Sequence, residues 1–314
     1  MIPVKENMAP AEDIQKPSLS KRIIKELKKN KLVYIFLIPT LIHFIIFQVF
    51  PFAFSFYLTF MDWRVIGDSE FVGLKNWARF LEDELAWKAI WNTVLFSIYY
   101  IVPTMALGLI LALIINSGIK FSKFFKGVFF LPVVTSFVIV AGLWGWLFKG
   151  TETGMVNYFL SLLGIETQLF LSDSSQALLV LAGLSVFKVA GSTMIYYFAG
   201  LQSIPKELYE AARIDGASKS KIFWKITFPL LLPIHFYVAI MTTIGSFQIF
   251  DSTFLLTAGG PNYSTTTIVF YLYQEGFAGL NFSYAAVLSY VLFFIILVIS
   301  LIQRKYLGKE SSNY

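Results

Sequence analysis

The sequence contains no cysteine among its 314 residues. This absence excludes disulfide bonds, thiolate metal sites and cysteine nucleophiles. Histidine occurs only twice, at His43 and His235, each alone in an apolar stretch. A lone histidine without clustered carboxylates supplies neither a metal site nor a catalytic triad, so we interpret both as packing residues.

Charge is also scarce. Only 14% of the residues are charged, while 57% are hydrophobic; an ordinary soluble domain carries about 25% charged residues. A soluble protein of this length needs more polar surface, and a disordered chain needs fewer apolar residues. The composition therefore excludes both classes and predicts a polytopic membrane protein.

Long uncharged runs give the architecture. A bilayer core takes about 20 apolar residues per helix, and the chain has six such runs, of which one is interrupted by Lys188. The first run is about twice the length of a signal-peptide core and lacks a small-residue cleavage site, so we interpret it as a retained span. The sequence predicts an all-α polytopic membrane protein with a six-span domain over 32–308. The expected spans are 32–60, 91–118, 127–148, 177–200, 229–250 and 280–303.

The basic residues are distributed unevenly around these spans. Nineteen lie in the two tails and in the loops after the second and fourth spans, whereas five lie in the other three loops. By the positive-inside rule, both termini are cytoplasmic. The segment 1–31 is then a basic cytoplasmic tail, and 309–314 is a second one. Ser20 to Asn30 forms either a short amphipathic helix on the inner leaflet or a solvated leader.

The loop after the fourth span, 202–228, has helix signals in order. Pro205 and Glu207 suit the first turn of a helix, and Gly216 suits a left-handed stop after it. Ser218 suits the N-cap of a second short helix ending near Ile226. The pattern predicts a helical hairpin, which on physical grounds alone is either a protein-binding surface or a simple connection.

Residues of this loop resemble the EAA loop of ABC importer permeases, and the string from Tyr209 to Ser218 resembles the sugar-importer branch. Further stretches are similar to the same family in the same order along the chain. The matching residues are Glu210, Ala211, Ala212, Gly216, Ile226 and Pro229, with the stretches Phe71–Trp77, Trp91–Thr93, Phe250–Asp251 and Leu256–Pro261. Phe228 departs from the pattern, in which leucine is commoner.

The resemblance implies a type I ABC importer permease fold and function. Such a permease pairs with a second homologous permease, an ATPase dimer and an external solute-binding protein in the bacterial cytoplasmic (inner) membrane. The EAA helix seats in the ATPase, with Glu210, Ala211, Ala212, Asp215 and Gly216 as its contact and turn residues. The chain has no phosphate-binding G-x-x-x-x-G-K-S/T string, so we expect ATP and Mg on the partner ATPase, no cofactor on this chain and no catalytic activity of its own.

Lys188 is the one basic residue that topology does not explain. An ionisable group in mid-span is costly unless it faces a cavity or a partner. We expect it either to bind an anionic group of an acidic, uronate-containing saccharide or to form an ion pair with the second permease. Glycerol 3-phosphate and a neutral oligosaccharide are alternative substrates.

Other substrate contacts are expected on the fourth and fifth spans. Hydroxyl and amide groups bond sugar hydroxyls, and an aromatic face stacks on a sugar ring; the alternative role of such groups is helix packing. Asp251 suits a loop anchor as well as a ligand. The residues are Ser192, Ser246, Phe247, Gln248 and Asp251.

Two other function classes fit the sequence less well. An ion-coupled secondary transporter needs intramembrane carboxylates and inverted repeats, and neither is evident in the sequence. A membrane-embedded enzyme needs several convergent polar groups, which a single lysine does not supply. We expect partners among proteins, lipid and saccharide, and none among nucleic acids.

Overall fold

A computed structural model describes residues 31–311 of the chain. The expected interfacial helix from Ser20 to Asn30 lies outside these residues. The described part is almost entirely helical, as predicted. Its strands are one short antiparallel pair, β1 Met61–Asp62 and β2 Glu70–Phe71.

The first span comprises two helices joined without interruption. Helix α1, Lys31–Phe44, continues through a π-helical turn at Ile45–Val49 into α2, Phe50–Leu58. Its apolar side chains are largely exposed, with Phe36 79% and Phe50 63% exposed. A helix of this apolar composition with an exposed surface is typical of one that faces lipid.

Three further helices are long and apolar enough to cross a membrane. They are α4 Glu84–Asn116, α8 Ala177–Ser203 and α15 Phe282–Ser311. Helix α8 packs along α4 and is the most buried of the three. Its inward side includes Leu181, Leu184 and Tyr197, all fully buried. The fourth predicted span therefore lies at the centre of the packing.

The third and fifth predicted spans are each broken. Helices α5 (Ser122–Val134) and α6 (Phe137–Leu147) meet at 94°. The helical stretch Lys219–Leu230 meets α12 (Leu232–Phe247) at 64°. The described part thus contains four helices that are long and apolar enough to cross a membrane, or up to six candidate spans if each bent pair is one span.

Short helices fill the connections. Helix α3, Lys75–Glu82, stops there because Asp83 caps α4. The EAA loop forms two helices, α9 (Lys206–Ile214) and α10 (Lys219–Ile222). A π-helical turn at Phe223–Thr227 and helix α11 (Phe228–Leu230) follow them. The remaining elements are α7 Met155–Leu162, the 3-10 turn Phe170–Ser172, α13 Asp251–Leu256, α14 Ile268–Tyr273 and the π-helical turn Gln274–Ala278.

Candidate functional site

The EAA loop folds into the predicted helical hairpin. Helix α9 begins after Pro205 with Glu207 in its first turn. It ends at Ile214, and Gly216, two residues later, has the positive φ of +71° that the sequence predicted for a left-handed stop. Ser218 caps α10 by accepting a hydrogen bond from the Lys221 amide at 3.3 Å. The second helix does not end near Ile226, because the chain stays helical to Leu230.

One side of this hairpin is open. Glu210, Ala211 and Asp215 are exposed, and Ala212 is half-buried. Ile214, an apolar residue on a helix in which four of the nine residues are charged, is 85% exposed. Helix α9 therefore presents small, acidic and apolar groups outward, which suits a protein partner.

The other side of the hairpin faces the rest of the chain. The Tyr209 hydroxyl lies 3.3 Å from Thr227 Oγ1 and ties α9 to the helical stretch that leads into α12. The Gln202 amide donates to Asn116 Oδ1 at 2.6 Å, which joins the ends of α8 and α4. The first bond fixes α9 to the stretch before α12, and the second holds the ends of α8 and α4 together beside the loop.

Lys188 contacts the break in the third span. Its ammonium nitrogen donates hydrogen bonds to the carbonyl oxygens of Pro132 at 2.7 Å, Val133 at 2.9 Å and Thr135 at 2.6 Å. No carboxylate among residues 31–311 lies within 4.0 Å of it. The ammonium is thus satisfied by backbone oxygens, while its formal charge is not neutralised by an acidic residue of the described chain.

Lys188 also lines a cavity of about 230 Å³ between α4, α6, α8 and α12. The same cavity is lined by Gln248 and Asp251, so the structure brings three of the predicted substrate residues together. Both Gln248 and Asp251 are exposed. Aromatic side chains complete the wall; they belong to Phe96, Tyr100, Phe137 and Phe250.

Three other predicted residues do not reach this cavity. Ser246 is fully buried with its hydroxyl on the Thr243 carbonyl at 2.8 Å, and Phe247 packs with Ile268 and Leu292. Helix α12 turns Gly245, Gln248 and Ile249 toward the cavity, so the residues between them face the core. Ser192 is half-buried and bonds the Val189 carbonyl at 2.7 Å.

The alternative role predicted for Asp251 is to anchor the glycine-rich loop that follows α13. Its side chain makes no hydrogen bond to that loop. Threonines anchor the loop instead. Thr265 Oγ1 lies 2.7 Å from Thr257 Oγ1 and donates to the Gly260 carbonyl, while Thr266 donates to the Gly259 carbonyl at 3.1 Å. The side chain of Asp251 is left at the cavity.

The start of α4 and the loop after α13 lie far apart in the sequence but are joined by hydrogen bonds in the fold. The Asn92 amide donates to the carbonyls of Tyr263 at 2.8 Å and Thr266 at 3.0 Å. Thr93 Oγ1 accepts from the Ile268 amide at 3.0 Å. Helix α4 therefore holds the loop that leaves α13, a role that sequence reasoning missed because the two segments lie about 170 residues apart.

Comparison with protein families gives one family match over most of these elements. The model that describes the inner membrane component of binding-protein-dependent transport systems matches residues 93–305. This range includes the EAA loop, Lys188 and the cavity residues Gln248 and Asp251.

Curated permeases resemble the chain over about 90% of its length. The probable ABC transporter permease protein YurN of Bacillus subtilis is 35% identical over 290 residues, which cover 90% of this chain and 99% of YurN. The arabinooligosaccharides transport system permease protein AraP of the same organism is 34% identical, covering 89% of this chain and 90% of AraP. The sn-glycerol-3-phosphate transport system permease protein UgpA of Escherichia coli is 31% identical, with 89% and 95% covered.

A solved structure agrees in fold. The chain matches a bacterial ABC transporter involved in the import of the acidic polysaccharide alginate, with a TM-score of 0.79 and 27% identity. The match covers 92% of this chain and 99% of that one. The alginate transporter has also been solved in complex with an alginate pentasaccharide-bound periplasmic protein, and that chain matches equally well.

Proposed function

This chain belongs to the family of inner membrane components of binding-protein-dependent transport systems, and we propose that its substrate is an acidic oligosaccharide. It is a permease subunit of a sugar ABC importer. Members of the family are not enzymes, because separate ATPase subunits hydrolyse the ATP. Our proposal concerns the identity of the sugar, the partner subunits and the orientation of the termini across the membrane.

One observation carries the choice of an acidic substrate. Lys188 places a positive charge in the wall of a cavity at mid-span, and no acidic residue of the described chain pairs with it. The ammonium is half-buried, and only neutral carbonyl oxygens accept its hydrogen bonds, so an anionic group of the substrate is a stronger partner for it. The likeness to an alginate importer over 92% of the chain supports the same choice.

The remaining cavity residues suit a sugar. The Gln248 amide and the Asp251 carboxylate are exposed beside Lys188 and offer hydrogen bonds to sugar hydroxyls. Aromatic faces from Phe137 and Phe250 offer stacking surfaces. We therefore assign substrate contact to Lys188, Gln248 and Asp251, and packing roles to Ser192, Ser246 and Phe247.

The EAA loop supports a second part of the proposal. We assign its exposed face, with Glu210 and Ala211 at its centre, to the cleft of one ATPase subunit. A second permease completes the pathway, and an external solute-binding protein delivers the sugar. Each bent helix pair then counts as one span, which gives six spans with both termini cytoplasmic. ATP and Mg bind the ATPase, and this chain binds no cofactor.

Uptake into vesicles tests the substrate. The importer, reconstituted with its partner subunits and loaded binding protein, is given an alginate pentasaccharide, arabinopentaose or glycerol 3-phosphate, with and without ATP. We expect ATP-dependent uptake of the pentasaccharide at least tenfold faster than of arabinopentaose. Faster uptake of arabinopentaose overturns the acidic substrate, and faster uptake of glycerol 3-phosphate keeps the anion but overturns the saccharide. Uptake that needs no ATPase subunit overturns the coupling through the EAA loop.

A further inference from the structure

The break in the third span leaves backbone groups that need partners. Helix α5 ends at Val134 and α6 begins at Phe137, at 94° to it. The last carbonyls of a helix have no partner within the helix, and inside a membrane no bulk water replaces the missing donor. Three of these carbonyls, at Pro132, Val133 and Thr135, accept their hydrogen bonds from Lys188 alone among side chains of the described residues.

The lysine reaches the break because two backbones lie unusually close. Gly191, one helical turn after Lys188, packs directly on α5. A methyl group added at Gly191 would lie 2.2 Å from the Phe129 carbonyl oxygen and 3.0 Å from Phe130 Cα. Residues three apart share one face of a helix, so Gly191 sets the contact and Lys188 spans the remaining gap.

A positive charge at this place favours the bent form electrostatically. The carbonyl end of a helix carries a partial negative charge, and the ammonium of Lys188 lies within hydrogen-bond distance of the end of α5. If the two helices joined into one straight helix, these carbonyls would bond within the helix and the lysine would lose three acceptors. The lysine and the bend therefore stabilise each other.

The same ammonium lines the cavity described above, and so does Phe137, the first residue of α6. A carboxylate bound in the cavity offers the ammonium a stronger, charged acceptor than a neutral carbonyl. An anionic ligand and the helix end thus compete for one group.

We propose that Lys188 is a positioning residue that holds the bend of the third span, and that an anionic group of the substrate draws it off the backbone carbonyls and relaxes the bend. The second clause rests on the proposed acidic substrate, whereas the first does not. By this account, the charge of the substrate changes the geometry of the span as well as the affinity of the pocket.

Distance measurement between spin labels tests both clauses. The chain has no cysteine, so Phe124→Cys on α5 and Trp146→Cys on α6 label it at two sites, both exposed and outside the cavity. Full straightening would lengthen the separation by on the order of 10 Å, given a rise of 1.5 Å per residue. The importer is assembled with cysteine-free partners and hydrolysis-defective ATPase subunits, so that the nucleotide state is the same in every sample.

We expect the wild type without sugar to give the shorter distance, and Lys188→Met to shift the population to longer distances. Lys188→Arg, which keeps the charge and the donors, should restore most of the short population. Adding an alginate pentasaccharide should lengthen the distance in the wild type, while its methyl ester, which has the same sugars without charge, should not. Lys188→Met should respond to neither.

Two results overturn the proposal separately. An identical distance distribution in the wild type and Lys188→Met removes the positioning role, even if acidic sugars are imported. An equal shift with the acid and its methyl ester removes the competition. If the wild type imports no acidic sugar but Lys188→Met still lengthens the distance, the proposed substrate fails and the positioning role stands. Should Lys188→Met not assemble, Lys188→Leu, an uncharged variant without a donor, replaces it with the same expected result.

Discussion

Tyr284 donates a hydrogen bond to the carboxylate of Asp83 at 2.5 Å and so fixes the start of α4 to α15, about 200 residues later in the chain. The same oxygen of Asp83 accepts from the Tyr271 hydroxyl at 2.6 Å, and its other oxygen caps α4 through the Leu85 and Ala86 amides. Beside it, Arg79 pairs with Glu275 at 3.0 Å and lies 3.7 Å over the Tyr284 ring. One short acidic residue therefore joins the second span, α14 and the sixth span.

Replacing this carboxylate should destabilise the chain. Asp83→Ala removes the cap, which costs about 1 kcal/mol. It also leaves the Tyr284 hydroxyl without its acceptor and the Tyr271 hydroxyl with only the weaker bond to Glu275 at 3.3 Å. We expect a lower melting temperature for the purified protein in detergent, with a smaller decrease for Tyr284→Phe. Tyr158→Phe, at an exposed tyrosine, is the control and should melt like the wild type. If Asp83→Ala melted at the wild-type temperature, the hydrogen bonds of Asp83 would not contribute to the stability of the protein.

The stabilising effect of Asp83 should depend on pH. Burial raises the pKa of this carboxyl, but hydrogen bonds from Tyr271, Tyr284 and two backbone amides outweigh burial and hold the pKa below its ordinary value of 3.8. A depressed pKa in the folded state means that the stabilisation is complete above the unfolded value and is lost as the pH falls through the folded value. The difference in melting temperature between the wild type and Asp83→Asn should therefore be constant from pH 7 to pH 5 and shrink below pH 4. A difference that grows on acidification contradicts this assignment.

The Asn92 amide should be needed for stability of the loop after α13. Asn92 is 6% exposed, and it is the side-chain donor to two loop carbonyls. Asn92→Ala removes the donor to the Thr266 carbonyl, at a cost of about 1–3 kcal/mol, and leaves the Tyr263 carbonyl with only its bond from the Thr266 amide. We expect faster proteolysis of the loop around Asn262 in this variant. Trp91→Phe, at the exposed neighbouring position, should be cut at the wild-type rate, and equal cutting of Asn92→Ala would contradict the role.

Ser246 on α12 and Gln248, which directly follows this helix, should differ in their effects on transport. Gln248 is exposed at the cavity, whereas Ser246 is fully buried with its hydroxyl on a backbone carbonyl. Gln248→Ala should raise the KM for sugar uptake about tenfold, a loss of about 1.4 kcal/mol, with little change in melting temperature. Ser246→Ala should leave the KM unchanged. A raised KM for Ser246→Ala with an unchanged KM for Gln248→Ala would assign the sugar contact to Ser246 instead.

The EAA helix should couple through Glu210 and not through Glu207. Both glutamates are exposed on α9, but only Glu210 lies in the matching motif. Glu210→Gln should reduce ATP-driven uptake at least tenfold and leave assembly of the permease pair intact. Glu207→Gln loses only a helix-dipole contact worth about 0.3–1 kcal/mol and should retain uptake. Equal losses in the two variants would mean that general charge, not the motif position, determines the effect.

The hairpin of the EAA loop could be predicted because its signals are local. Proline before the first turn, glycine at the left-handed stop and serine at the cap each act within a few residues. The structure confirms Gly216 and Ser218 in these roles. Only the end of the second helix was wrong, since the π-helical turn at Phe223–Thr227 continues it.

The breaks in the third and fifth spans could not be predicted from the sequence. A hydrophobicity pattern is uninformative where every face of a helix is apolar, and a proline such as Pro132 is tolerated in membrane helices that stay straight. The partners of Lys188 were missed for a related reason. Backbone carbonyls have no residue signature, so the sequence offered only a ligand or an acidic residue as its partner.

The sequence also could not predict which side of the end of α12 faces the cavity. Sequence position placed 246–248 near the substrate, but the register of the helix turns only Gln248 of these toward the cavity. Burial of Phe247 against Ile268 and Leu292 sets that register.

We propose that this permease selects its sugar by the negative charge of the sugar. The most direct test compares uptake of an alginate pentasaccharide with uptake of its methyl ester by the same wild-type vesicles, each rate divided by the fraction of loaded binding protein. Both ligands have the same sugars and linkages, and only the charge differs. We predict that the acid enters at least tenfold faster than the ester. Equal rates, or a faster ester, would contradict the account.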